Sequence, residues 1–494
     1  MHPRPSFFRG KLQDHPGSAQ KAPVGHRGAG ETAIRNGASG LPGYTRKYIC
    51  WAALETVSLQ PLEIQTLLPM KRMFLVLLLP LAIAASAQDW NLAADYQDVE
   101  PKVIEWRRDI HQFPELSNRE FKTAEKIAKH LRSLGMEVQT GVAHTGVVGI
   151  LKGQQPGKVV ALRADIDALP VTERNDLPFR SEVTAEFLGE KVGVMHACGH
   201  DTHTAILMGV AEVLSRNKDQ IRGTVKFIFQ PAEEGPPPGE EGGALLMVRE
   251  GVLKNPDVDA IFGLHINSET PAGVIRYKSG GTMAAAQSFT IQVRGKQSHG
   301  SQPWSGVDPI LISAKIVDGL QTIISREAKL TDEAAVITVG KIKSGVRFNI
   351  IPESAEMIGT IRTLDYGMKD QINRRMMEMV PAIAKAYGGE ASIEIRDATD
   401  ITFNDPALVS RMLPTLTRVA GEENVQTQKA VTGAEDFSYF QREVPGFFFF
   451  LGGMTPGNTE PFPHHTPDFR IDEQGLILGV KALTELSLDY LSQG

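Results

Sequence analysis

Apolar positions recur along this chain with two periods, and their alternation lays out most of the fold. From about Tyr96 to Gly135 the spacing is helical: KTAEKIAKHLRSLG puts Ala124, Ile127, Ala128 and Leu131 on one face and stops at Gly135. Short apolar runs then alternate with helical stretches. GVVGILKG and KVVALRAD predict strands, DTHTAILMGVAEVLSRN predicts a helix, and GTVKFIFQ and DAIFGLHI predict two further strands. This alternation belongs to an α/β domain with a largely parallel sheet. The character shifts near Ala284. SFTIQVRGKQSHG alternates like a half-buried strand, and DPILISAKIVDGLQTIISRE and DQINRRMMEMVPAIAKAYGG are long amphipathic helices. With the strands AAVITVGKIKSG, AEMIGTIRTLD and ASIEIRD, the order β, α, β, β, α, β predicts a small antiparallel sheet covered by two helices. After Thr399 the α/β character returns, with GFFFFLGG as a buried strand and EQGLILGVKALTELSLDYL as a closing helix. The expected organisation is a main α/β domain in two pieces, 88–283 and 399–494, interrupted by an inserted α+β lid over 284–398.

The segment from Met70 has a different pattern. Lys71 and Arg72 precede an apolar run from Phe74 to Ala84, and Ala85-Ser86-Ala87 offers a small-residue cleavage site. The run is too short to span a bilayer, so residues 70–87 are expected to be a secretory signal rather than an anchor. Residues 1–69 lack an apolar period and are expected to be an over-extended reading frame, with Met70 the true start. Cleavage after Ala87 would leave Cys198 as the one cysteine, so the fold must be held by its core and not by a disulfide framework. A net charge of -6 over 494 residues, without a long block of like charge, gives no reason to expect nucleic acid.

Ligand-type residues cluster where strands end. MHACGHDTHTA packs His196, Cys198, His200, Asp201 and His203 just before an apolar helix, a density that points to a zinc-like ion. A polar helix cap around a buried cysteine is the plainer alternative. In FIFQPAEEG, Glu233 and Glu234 follow a strand, and neighbours on extended chain point oppositely. One carboxylate can thus ligate metal while the other serves as a general base. Asp165 and Asp167 follow LRA, His265 ends FGLHI, and His464 and His465 lie in the Pro-broken PFPHHTPDF. Singly each reads as an ordinary polar residue, but open α/β sheets bring such strand ends together.

The chain resembles the amidohydrolase branch of the aminoacylase and carboxypeptidase family of dinuclear metallopeptidases, which includes hippurate hydrolase, N-acyl-L-amino-acid amidohydrolases and plant hydrolases of indole-acetyl amino acids. The likeness runs from about Ala94 to the C-terminus through HQFPEL, LRADIDALP, MHACGHDTH, FQPAEEG, FGLHI, SHGSQPWSGVDP, TGAEDFSYF and HHTPDF. It implies that Cys198, His200, Glu234, His265 and His465 hold two divalent ions (zinc, manganese, cobalt or nickel), with Cys198 as a bridging thiolate. It implies Glu233 as general base and Asp167 as a partner that orients a ligand. His299 matches a histidine that reaches the partner subunit's site to stabilise the oxyanion, which implies a homodimer formed through the lid. Asn349 and Arg362 are the implied contacts to the transition state or the substrate carboxylate; for Arg362 a surface ion pair is the alternative. Gly300, Ser301, Trp304, Arg347 and Phe348 depart from the common pattern near the expected substrate entrance. The expected activity is hydrolysis of N-acyl-amino acids by an exported, periplasmic or secreted enzyme. The rival readings are a metallo-carboxypeptidase or dipeptidase, a binding protein on a dead site, and a cysteine hydrolase.

Overall fold

The computed structural model describes residues 90–493, so the segment 1–69, Cys50 and the signal expected over 70–87 lie outside the described residues. An eight-stranded sheet runs in the order Glu137–Val142, Gly146–Lys152, Arg222–Gln230, Gln155–Asp165, Ala260–Pro271, Gly446–Met454, Ile275–Tyr277 and Val425–Thr427. The four strands from Arg222–Gln230 to Gly446–Met454 are mutually parallel, and antiparallel pairs join them to the strands on either side. The largely parallel α/β sheet read from the sequence is therefore present.

Burial on both faces explains why these strands read as unbroken apolar runs. In Gly446–Met454, Phe447 and Phe449 enter one core while Phe448 and Phe450 enter the other, the two-residue period of a pleated strand. One face carries the helices Ala93–Gln112, His200–Arg216 and Leu476–Ser492, and the second of these is buried from His200 to Leu214. The other face carries Met247, Phe437 and Phe440. Lys226 sits inside this second layer because its ammonium donates to the carbonyls of Val252, Lys254 and Pro256 at 2.9, 2.8 and 3.0 Å.

A second sheet, antiparallel throughout, has the order Ala335–Ser344, Ser354–Thr363, Ala285–Arg294 and Glu390–Thr399. The helices Pro309–Thr322 and Tyr366–Ala386 cover one face, onto which Phe289, Ile291 and Val293 project. Asp308 and Asp365 cap these helices by accepting backbone N–H bonds from Ile310 and Met368, both at 2.8 Å. A small pair, Ser298–His299 with Ile350–Ile351, sets His299 opposite Ile350, and the Gly300 N–H donates to the Asn349 carbonyl at 2.8 Å.

Several elements escaped the pattern of the sequence, among them the strands Glu137–Val142, Ile275–Tyr277 and Val425–Thr427 and the helix Gly243–Arg249. The helix Pro406–Ala420 lies in the stretch after Thr399, and a hairpin of Thr184–Phe187 with Glu190–Gly193 stands beside the strand ends. Among the described residues no helix is long and apolar enough to cross a membrane.

Candidate metal centre

The parallel strands deliver their loops to one end of the sheet, and the ligand-type residues meet there. Cys198 and His200 flank Gly199, where the helix His200–Arg216 begins. Gly199 has φ 97°, and a Cβ on it would lie 2.3 Å from the Cγ2 of Ile266, so only glycine turns the chain this tightly. Ala232 and His465 also take left-handed backbone, at φ 51° and 61°, each next to or within the ligand set.

Two triads result. Ligand atoms of Cys198, His200 and His265 lie within 4.8 Å of one another, and so do those of Cys198, Glu234 and His465. The Cys198 Sγ is 3.4 Å from His265 Nε2 and 3.3 Å from His465 Nε2, while His465 Nε2 is 3.2 Å from Glu234 Oε1. Cys198 is common to both sets.

The surrounding bonds fix which atoms face inward. His200 Nδ1 donates to the Asp167 carbonyl and Oδ1 at 3.0 and 3.1 Å, leaving Nε2 buried without a hydrogen-bond partner. His265 Nδ1 donates to the Ile266 carbonyl at 2.6 Å, which turns Nε2 toward the thiol. Asp167 itself accepts from Ser117 Oγ at 2.7 Å and from the Glu234 N–H at 3.1 Å. It therefore braces two ligands at once, the arrangement by which metal sites orient imidazoles. His203 and His464 are ligand types already spent. His203 Nδ1 donates to Asp165 at 2.6 Å and its Nε2 accepts from the Ile266 N–H; His464 bridges the Cys198 carbonyl and the Ser268 N–H.

The electrostatics favour cations here. Burial, then Glu234 and Glu233, push the Cys198 thiol well above its ordinary range, so its ionised form requires compensating positive charge at this spot. Burial alone would lower His200, but Asp165 and Asp167 outweigh it and raise the imidazole to about 10. Glu233 stands 3.8 Å from His200 Nε2. Burial, then Glu435 and Glu234, hold its carboxyl well above the usual carboxylate range. A buried His200 Nε2 without a hydrogen-bond partner, free to exchange its proton for a metal, and a thiol between carboxylates and imidazoles fit a pair of divalent ions.

Behind this set lies a buried ion cluster without a counterpart in the sequence reading. Arg163 donates to Asp165 at 2.7 Å, to Glu435 at 2.9 Å and to Asp436 at 3.1 Å. Gln230 adds bonds to both oxygens of Asp436. Glu435 and Asp436 belong to the TGAEDFSYF block, and Arg163 to LRADIDALP.

The sequence pattern of the family described as Peptidase family M20/M25/M40 matches residues 161–489. The chain belongs to that family. Its match to thermostable carboxypeptidase 2 of Saccharolobus solfataricus is 41% identical over 402 residues, covering 81% of this chain and 98% of the relative. With N-acetylcysteine deacetylase of Bacillus subtilis the identity is 36% over 391 residues, 79% of this chain and 97% of the relative. Among solved structures, the Bacillus subtilis YXEP protein, titled a dinuclear metal-binding peptidase from the M20 family, is 35% identical with a TM-score of 0.67, over 80% of this chain and 99% of the other.

Of the M20 residues singled out in the sequence, Cys198, His200, Glu234, His265, His465, Glu233 and Asp167 come together. His299, Asn349 and Arg362 do not join them within one chain. His299 is exposed on the separate two-stranded pair with Ile350–Ile351, its Nδ1 accepting from Ser301 N–H at 3.1 Å. Arg362 stands in register with Ala286, which pairs in turn with Thr399. Thr399 lines the metal cavity, a space of about 420 Å³ shared with Cys198, Glu233, His265 and Met283. Among the described residues no carboxylate pairs with Arg362; its guanidinium reaches only Thr360 Oγ1 and the Ile361 carbonyl.

Proposed function

We propose that this protein hydrolyses N-acyl-amino acids to a carboxylic acid and a free amino acid, with two divalent ions held by Cys198, His200, His265, Glu234 and His465. The observation that carries this reading is the pair of three-ligand sets sharing one thiol, with the spare carboxylate of Glu233 beside them. When bound, such ions polarise the acyl carbonyl and make a nearby water acidic at neutral pH. Glu233, held in a buried and carboxylate-rich setting, takes the proton from the attacking water and returns it to the departing amine. Asp167 keeps His200 and the Glu234 backbone in place throughout.

The lid completes the site. Arg362, unpaired and in the same cross-strand row as Thr399, receives the substrate carboxylate, and Asn349 contacts the reacting amide. His299, from a second copy joined through the lid, stabilises the oxyanion. The basic, apolar and small-residue order over 70–87 supports export of the enzyme without a membrane anchor.

A metallo-carboxypeptidase or dipeptidase activity on the same centre is the second reading, supported by the 41% identity to a relative named a carboxypeptidase. Protein starting at Gln88, loaded in turn with zinc, manganese, cobalt and nickel, separates them on a panel of acyl-amino acids and dipeptides. Cleavage of hippurate-like substrates in preference to dipeptides supports the first; hydrolysis confined to peptides replaces it with the second.

A further inference from the structure

A second recess opens on the far side of Glu234, and its chemistry differs from that of the metal cavity. It has a volume of about 270 Å³ and is walled by Leu116, Leu169, Phe187, Leu188, Pro237 and Pro238, with Glu234 and Gly235 also in its lining. Ser117, whose hydroxyl holds Asp167, also lines it. Glu234 therefore lines both the metal cavity and this recess, whose other walls come from the loop after Glu234 and the hairpin of Thr184–Phe187 with Glu190–Gly193.

Its charged rim is unsuited to a carboxylate. Arg119 is the one cation there, and both of its terminal nitrogens bind Glu240, at 2.5 and 3.1 Å. The remaining charges, Glu186 and Glu234, are negative. A substrate with its carboxylate elsewhere and an apolar group on the acyl side matches these walls.

The hairpin supplies an independent observation. Phe187 pairs with Glu190, so Leu188 and Gly189 form a two-residue turn, and their φ values are 53° and 82°. A turn left-handed at both positions favours Asn-Gly, and a branched leucine at the first is a costly choice. Packing does not ask for it, since Leu188 is 69% exposed. What the leucine does is line the recess.

We infer that this recess is the acyl-side-chain subsite, with Leu188 as its flap, and that it selects aryl or bulky aliphatic acyl groups over acetyl. The inference deepens the amidohydrolase reading and rests on it for the identity of the acyl substrate. The test compares phenylacetohydroxamate with acetohydroxamate, which engage a metal centre through the same head group, so that only the ring differs. Calorimetric binding to the metal-loaded protein is measured for the wild type and for Leu188→Asn, a substitution that suits the turn and so preserves the fold. The wild type should prefer the phenyl compound by about tenfold or more, from burial of one ring. Leu188→Asn should narrow that preference several-fold while leaving acetohydroxamate affinity unchanged. Equal affinities in the wild type, an unchanged preference in the variant, or equal loss for both compounds would overturn it. A parallel turnover assay with N-phenylacetyl- and N-acetyl-amino acids keeps the two ideas apart: absence of all acyl-amino acid cleavage counts against the reaction, whereas the binding ratio judges the recess.

Discussion

The metal centre and the lid are built in opposite ways. Cys198 and His465 lie 267 positions apart in sequence and still meet at 3.3 Å, because a sheet buried on both faces fixes where its loops emerge. His299, Asn349 and Arg362 are near one another in sequence, yet within a single chain they face no completed site. The centre is assembled by the rigid interior, whereas these three residues stand on or beside the separate antiparallel sheet. Under the proposed function the work divides accordingly: metal binding and water activation would reside in one chain, while oxyanion stabilisation by His299 would need a second copy.

The largest expected effect falls in the centre. Glu233→Gln should lower kcat by on the order of 10³-fold or more while two ions per chain remain bound, read by turnover beside elemental analysis. Parallel loss of metal would show Glu233 to be a ligand and dissolve the division between base and ligands. Arg163→Met tests the interior that holds the site. Asp165, Glu435 and Asp436 would lose their shared counter-charge, at a cost of ~3–5 kcal/mol in unfolding free energy. Burial already raises Asp436 to about 7, against the pull of Arg163. A raised carboxyl stabilises the fold below its unfolded pKa and forfeits that as pH climbs through the folded value. Without the guanidinium that value rises further, so the deficit of Arg163→Met should be smaller at pH 6 than at pH 8.

The lid is tested by complementation. His299→Ala should reduce kcat by on the order of 10²-fold with metal content intact, the scale of one lost oxyanion donor. Mixing His299→Ala with Glu233→Gln chains then decides whose site His299 serves. A mixed dimer joins one intact Glu233 to the other chain's intact His299, so activity should return on subunit exchange. A mixture as inactive as its components would place His299 in its own chain's site, or outside catalysis.

Much of this division was legible in the residue pattern. KVVALRAD, GTVKFIFQ and GFFFFLGG read as buried strands because both faces demand apolar side chains, and SFTIQVRG read as half-buried because one face of its sheet is open. MHACGHDTH and the Glu233-Glu234 pair stood out because thiol, imidazole and carboxylate are dense there. Other features had no local signal. His203 and His464 are the same residue type as the ligands, and only their saturated hydrogen bonds separate them. Arg163 sits in an apolar strand, its four side-chain partners set by contacts that no spacing records. The hairpin at Leu188 was missed because its strands are four residues long and its turn lacks the usual asparagine.

Asp167 marks the smallest expected effect, and it shows what the interior contributes beyond the ligands themselves. Its Oδ1 receives His200 Nδ1, while Oδ2 receives Ser117 Oγ and the Glu234 N–H. Although burial opposes ionisation, the His200 bond holds this carboxyl below its ordinary range. Asp167→Asn keeps the shape and removes the charge, so the fold should persist while metal affinity drops by roughly 10–100-fold. Competition with a chelator measures that drop, and saturating metal should restore most of the turnover. Were turnover to stay low at full occupancy, Asp167 would be acting on the reacting groups as well as on His200, and the separation between holding the ions and carrying the proton would no longer lie at Glu233 alone.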